Sequence, residues 1–495
     1  MADTFPPPLA PRRPERVEGG LRADLCVIGA GSGGLSVAAG AVQMGASVVL
    51  VEKGEMGGDC LNAGCVPSKA LLAAAHAAQA VRDARRFGVH APAPDIRFGE
   101  VHAHVHGVIA AIAPHDSVAR FEGLGVHVVR AAARFAGPDV VEAGGERIRA
   151  RRFVVATGSR AAVPPIPGLA DAGYLTNETI FGLAECPRHL LVIGGGPIGV
   201  EMAQAFRRLG ADVTLVEKAR ILPRDEPEAV EVLRAALRRE GVTLLESTGL
   251  RSVRREGERI VATLDADGQD GQDGRRIEAS HVLVAAGRRP NVEELGLDAA
   301  GIAHGATGIV VDARLRSSNR RVFAIGDVAG GPQFTHVAGQ HAGIVIRNAL
   351  FGIPARVDYK ALPWVTYTDP ELAHVGLTEA AARAAGHDAK ILTWSFAAND
   401  RAQAERATEG LAKIVLGRKG RILGATILGP RAGELIGPWV LAISSGLGIG
   451  SVASAVLPYP TLSEVSKRAA GSYYTPKLFG RTTRRIVGLV QRFLP

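Results

Sequence analysis

A stretch that recurs at an offset of 165 residues constrains this chain most. Leu25-Cys26-Val27-Ile28-Gly29-Ala30-Gly31-Ser32-Gly33-Gly34 is followed by Val48-Val49-Leu50-Val51-Glu52-Lys53, and Leu191-Val192-Ile193-Gly194-Gly195-Gly196-Pro197-Ile198-Gly199 by Val213-Thr214-Leu215-Val216-Glu217-Lys218. Each copy reads as an apolar strand, a Gly-x-Gly-x-x-Gly turn opening a helix, and a second strand ending in glutamate 23 residues after the first glycine. The glycines permit a tight turn and let a pyrophosphate approach a helix N-terminus, and the glutamate accepts hydrogen bonds from an adenosine ribose. A lone glycine triplet would say little. Two copies with strands and acids in place predict an α/β chain with two Rossmann-like domains and two dinucleotides, a flavin in the first and a nicotinamide in the second. Glu217 favours NADH, because a carboxylate there repels a 2′-phosphate, although Lys218 and Arg220 lie close by.

Directly behind the first copy comes Gly57-Gly58-Asp59-Cys60-Leu61-Asn62-Ala63-Gly64-Cys65-Val66-Pro67-Ser68-Lys69. A disulfide needs Cα atoms within about 7 Å. Residues five apart on one regular helix lie too far apart and on different faces, so the chain between Cys60 and Cys65 must be irregular. Asn62 and Gly64 tolerate that, and Pro67 suits the first turn of a helix through Ala70 to Ala75. Cys65 then sits beside a helix N-terminus, where partial positive charge favours the reactive thiolate. Beside two cofactor motifs, the pair reads as a redox switch rather than as two small buried hydrophobes.

At 495 residues, 47% of them hydrophobic, the chain should hold about three domains with ample cores. Four cysteines (Cys26, Cys60, Cys65, Cys186) are too few for a disulfide-stapled secreted scaffold and fit a cytoplasmic enzyme. The net charge of +9 is spread along the chain without interleaved aromatics, so no nucleic-acid surface is expected. Five prolines in residues 1–22, without a signal-peptide core, read as a disordered leader. The uncharged run between Glu434 and Glu464 is broken by glycines and serines and bounded by Pro438 and Pro458, which predicts a buried helix and loop rather than a membrane span. His102, His104 and His106 fit a solvated helix face, and no metal site is expected. From Pro476 onward, Ile486, Val487, Val490, Phe493 and Leu494 form one helical face and Arg481, Arg485 and Arg492 the other. Docking on the protein's own surface is the expected use of this tail, ahead of an anionic membrane.

These motifs resemble the pyridine nucleotide-disulfide oxidoreductases, the group of mercuric reductase, dihydrolipoamide dehydrogenase and glutathione reductase, from about Asp24 to Tyr474. Ala156-Thr157-Gly158-Ser159 and Ala285-Ala286-Gly287-Arg288-Arg289-Pro290-Asn291 look like the family's strand-end motifs, and Gly326-Asp327 like its second flavin motif. The resemblance implies a homodimer with an FAD-binding domain (23–165 and 288–356), an NAD(P)-binding domain (166–287) and a C-terminal α+β dimerisation domain (357–475), followed by the basic tail (476–495). It implies that Gly29, Gly31, Gly34, Glu52, Lys53, Gly58, Lys69, Thr157, Gly158, Asp327, Thr335 and His336 hold FAD. Gly194, Gly196, Gly199, Glu217 and Gly287 would hold NADH or NADPH. Lys69 and Glu201 match the ion pair beside the flavin. Hydride would pass from nicotinamide to flavin and electrons on to the disulfide, with Cys65 facing the flavin and Cys60 meeting a small-molecule or metal-ion acceptor.

The chain departs from the family's disulfide reductases where a histidine–glutamate pair serves the partner subunit's site. Pro458-Tyr459-Pro460-Thr461-Leu462-Ser463-Glu464 has Tyr459 in the histidine's place and retains Glu464. An unperturbed tyrosine titrates near pH ~10 and is a poor proton shuttle. Mercuric reductases share this tyrosine, which favours their branch over dihydrolipoamide dehydrogenase. They also carry a vicinal cysteine pair near the C-terminus and often an N-terminal metal-binding domain, neither of which occurs in this sequence, whose last cysteine is Cys186. Asp59 replaces the threonine usual before the first redox cysteine. A non-enzymatic alternative is a flavin-bound redox sensor or docking protein, motivated by the basic tail.

Overall fold

A computed structural model describes residues 12–265 and 274–494. The chain forms two compact units: Met1–Ala74 with Ala93–Cys186 and Val282–Val357, and Ala75–Pro92 with Pro187–His281 and Asp358–Pro495.

The first unit is built on an eight-stranded sheet. Gly20–Ile28 runs parallel to Val48–Glu52 on one side and to Glu146–Val155 on the other. His127–Arg130 and Val322–Ala324 extend the parallel array, and Val140–Ala143 and Ala133–Gly137 add an antiparallel flap. The central strands are apolar on both faces because both are covered. Leu25, Val27 and Leu50 enter one core with Val37, Ala38 and Ala41 of the helix Ser32–Gln43, while Cys26, Ile28 and Val51 enter the other with Phe135 and Phe153. Burial pushes the Cys26 thiol up to about 12, so it is an inert core residue.

Part of the expected disordered leader is structured. Residues 1–11 lie outside the described residues, but Glu15–Val17 pairs antiparallel with Gly20–Arg22, and Arg12 reaches Asp24 at 3.4 Å. The sequence reading missed this strand because three residues without alternating hydrophobicity carry no periodic signal.

In the second unit, His189–Ile193, Asp212–Val216 and Thr243–Leu245 form a parallel array that repeats the order of the first unit's core strands. Leu250–Glu256, Arg259–Leu264 and Arg276–Ala279 form an antiparallel sheet. A five-stranded antiparallel sheet follows, in the order Pro363–Thr366, Glu371–Gly376, Ile422–Gly429, Leu411–Leu416, Lys390–Ser395. Trp439, Val465 and Ala469 cover it from the helices Gly437–Ser444 and Glu464–Ser472. The uncharged run thus breaks into short helices, and no helix among the described residues is long and apolar enough to cross a membrane. The helix Arg481–Val490 has no buried residue, so within one chain the tail does not dock as expected.

Candidate active site

Both glycine turns are built alike. Gly29 and Gly194 take φ of +104° and +113°, where a side chain would be strained. A methyl group on Gly34 or Gly199 would lie 1.9 Å from the carbonyl oxygen of Gly29 or Gly194, so the helix packs directly on the turn. The helices Ser32–Gln43 and Pro197–Arg208 start at the middle glycines, Gly31 and Gly196, and neither has a side-chain cap. Their first N–H groups are therefore left for an anion. A methyl on Gly31 would meet only Gly58 Cα, at 3.9 Å, and one on Gly196 nothing within 4 Å. That open cradle fits a pyrophosphate in each turn.

The two glutamates are also held alike. Glu52 accepts from the N–H groups of Ala30 (2.5 Å) and Gly54 (2.7 Å), and Glu217 from those of Gly195 (2.7 Å) and Ala219 (2.9 Å). Each carboxylate keeps lone pairs for a ribose hydroxyl. Lys53 and Lys218 are exposed beside them.

The redox segment packs against the first turn. A methyl on Gly58 would lie 2.7 Å from Gly31 Cα, and one on Gly64 would lie 2.9 Å from the Asp59 carbonyl oxygen and 3.2 Å from Cys60 Cα. Gly64 thus serves close approach rather than an unusual φ. The expected break between the cysteines is present: the helix Gly58–Asn62 stops at Ala63 (φ −146°), and a new helix, Cys65–Asp83, starts at Cys65. Cys60 is half-buried and Cys65 exposed, both as thiols.

The two thiols are unequal. A hydrogen bond from Cys60 draws Cys65 down to about 6, partial burial opposes this, and Thr335 and Lys69 add to the lowering. The same bond, with burial, drives Cys60 well above its ordinary value. Cys65 is thus the thiol favoured as thiolate, through the Cys60 bond first, with its place at a helix start and Lys69 one turn on acting in the same direction. Thr335, the first residue of the helix Thr335–Leu350, lies 3.3 Å from Cys65 Sγ, and His336 beside it stacks on Phe334.

The strand-end motifs meet. Ser159–Ala161 pairs with Arg288–Pro290, and Asn291 binds the backbone of Thr157 and Gly158. Gly158 and Gly287 both have positive φ. Asp327 accepts from Ser159 Oγ at 2.5 Å and lies 3.7 Å from Arg288, while burial raises its carboxyl above the usual range. Asp59, which the sequence left unexplained, is held by Arg288 at 3.2 Å and by Asn177 at 2.7 Å. Arg288 stands in a motif already singled out; Asn177 has no local signal in the sequence. His102 and His106 share a face, with ring centroids 4.2 Å apart, and His106 bonds the Phe181 carbonyl.

Lys69 belongs to the first unit and Glu201 to the second. Glu201 is buried on the helix Pro197–Arg208 and accepts from the Tyr367 N–H at 2.9 Å. Also in the second unit, Tyr459 is 68% exposed and donates to Asp400 at 3.0 Å. That bond raises the phenol above its usual range. Glu464 opens the next helix. Asp400, 59 residues before Tyr459, went unnoticed in the sequence because nothing local marks it.

The chain is similar to known proteins over most of its length. The mercuric reductase of Streptomyces lividans is 40% identical over 458 residues, covering 91% of this chain and 96% of that protein. The dihydrolipoyl dehydrogenase of Thermus scotoductus is 38% identical over 452 residues, covering 90% and 96%. A solved Cu(II) complex of the HOCl-induced flavoprotein disulfide reductase RclA from Escherichia coli superposes with a TM-score of 0.80 at 28% identity, covering 90% of this chain and 98% of that one. Residues 23–342 match the pyridine nucleotide-disulphide oxidoreductase family and residues 362–470 its dimerisation domain. With two dinucleotide turns, an asymmetric thiol pair and a dimerisation sheet in place, the chain belongs to the pyridine nucleotide-disulphide oxidoreductases, flavoenzymes that use FAD and NAD(P)H.

Proposed function

We propose that this enzyme reduces a thiophilic metal ion, of the Hg(II) class, at Cys60 and Cys65, with NADH as donor, in a cytoplasmic homodimer. When bound, FAD relays the electron pair of the nicotinamide to the thiol site. Gly29, Gly31, Gly34, Glu52, Lys53, Gly58, Thr157, Gly158, Asp327, Thr335 and His336 hold the flavin. Gly194, Gly196, Gly199, Glu217 and Gly287 hold the nicotinamide nucleotide, in the 166–287 segment. Lys69 and Glu201 supply the charges that the family pattern expects beside the flavin edge.

Tyr459 carries the choice of acceptor. A disulfide substrate needs a proton delivered to its leaving thiolate. A phenol raised by Asp400 cannot exchange that proton near neutral pH. A divalent soft cation needs none: Cys65 binds it as the thiolate, Cys60 loses its proton to solvent on binding, and two electrons convert the ion to the metal, which leaves both sulfurs. Neither Tyr459 nor Glu464 is then asked to relay a proton. The two oriented bonds to Glu217 favour NADH by holding negative charge where a 2′-phosphate would sit.

The dihydrolipoamide dehydrogenase reading has the 38% identical Thermus scotoductus protein in its favour. Anaerobic titration with NADH and with NADPH, followed by reoxidation with Hg(II), lipoamide or quinones, tests both. We expect a thiolate-to-flavin charge-transfer band that Cys65→Ser abolishes, and Hg(II)-dependent NADH oxidation lost in Cys60→Ser but kept within about threefold in Tyr459→Phe. Rapid NAD-dependent oxidation of dihydrolipoamide, lost in Cys60→Ser, would overturn the metal-ion reading.

A further inference from the structure

We infer that the helix Arg481–Val490 is a docking element for an anionic lipid surface. At helical spacing, Ile486, Val487, Leu489 and Val490 line one side, continued by Phe493 and Leu494 in the turn that follows. These six side chains are between 41% and 80% exposed, as are Leu478 and Phe479 just before the helix, at 58% and 68%. Apolar groups exposed together on one face mark a surface made to be covered.

The opposite side identifies the cover. Arg481, Arg484, Arg485 and Arg492 cluster there with Gly488 and Gln491 between them, and from Val465 to Pro495 the sequence has seven lysines and arginines and no acid. An apolar stripe flanked by cations is the pattern of a helix lying in the plane of a membrane interface, its stripe among acyl chains and its arginines at the headgroups. A second copy of the helix fits worse. Stripes laid face to face would bring arginine flanks of the same sign together. Ten residues, about 15 Å of helix, also offer far less than the ~1,000 Å² of a stable protein interface. The inference does not depend on the acceptor proposed above.

The test uses the full-length, FAD-loaded enzyme in cosedimentation with vesicles of phosphatidylcholine, with or without phosphatidylglycerol. Binding should be at least about tenfold stronger to the phosphatidylglycerol vesicles and should weaken as salt is raised. Arg484→Gln with Arg485→Gln should cost roughly 25-fold, at about fivefold per cation. Val487→Asp with Phe493→Asp should abolish binding and leave NADH turnover and the mass by light scattering unchanged. Equal binding to both vesicle types, or no binding by the wild type, would overturn the inference. So would a halved mass in the aspartate variant, which would assign the stripe to a second copy.

Discussion

Around Gly31 and around Gly196 the backbone is nearly the same. The first glycine has positive φ, the third lies under its carbonyl, and a glutamate at the end of the second strand accepts two backbone N–H groups. They differ in what stands opposite. Gly57 bridges to Gly31 and Gly58 presses on its Cα, so the redox helix walls in the first turn, whereas the second is open at Gly196. One turn suits a group retained through many cycles and placed beside sulfur; the other suits a nucleotide that comes and goes.

The largest test of that contrast uses the shared 1.9 Å contact. Gly34→Ala and Gly199→Ala should each lose about 1–3 kcal/mol of stability by overpacking. Gly34→Ala should purify without flavin absorbance, while Gly199→Ala should keep its flavin and fail to be reduced by NADH. Equal loss of flavin in both would break the contrast.

A gentler pair sharpens it. Gly31→Ala and Gly196→Ala clash with nothing closer than 3.9 Å, so melting temperatures should hardly move. Gly196→Ala should raise the KM for NADH about 10- to 100-fold at unchanged flavin content, because the methyl fills space the pyrophosphate needs and holds it off the backbone N–H groups, and Gly31→Ala should lower the affinity for FAD instead. Stopped-flow reduction and flavin retention on desalting read the two effects.

The smallest effect is in the titration that only the first turn has beside it. With Cys65 held at about 6, its thiolate is present above that pH and is lost as pH falls through it. The charge-transfer band of the two-electron-reduced enzyme should fade accordingly. Lys69→Met, which removes one of the lowering charges, should move the midpoint upward. An unmoved midpoint would mean that the helix start and Cys60 suffice.

Much of this was legible without coordinates, because dinucleotide binding depends on local backbone geometry: a turn, a helix start and a strand end within some 23 residues. The irregular break between Cys60 and Cys65 was readable for the same reason. Asp59 was not. Its partners, Asn177 and Arg288, stand 118 and 229 residues away in the chain, and no local pattern encodes a long-range ion pair. Tyr459 stood out as a substitution, yet its bond to Asp400 depends on how a loop folds back. The tail's two faces were visible at helical spacing, but whether the chain covers the apolar one depends on the shape of everything else.

By itself, then, the sequence determined the two cofactor turns, the thiol pair and the family, since each is written in residues a few positions apart and rests on sterics and backbone hydrogen bonding. Only the tertiary structure decided that Cys60 and Thr335 join in holding Cys65 acidic, what holds Asp59 and Asp327, and that the last helix is left exposed. Those outcomes depend on burial and on charges brought together from distant segments, and pairwise electrostatics over a few ångströms has no signature in linear order.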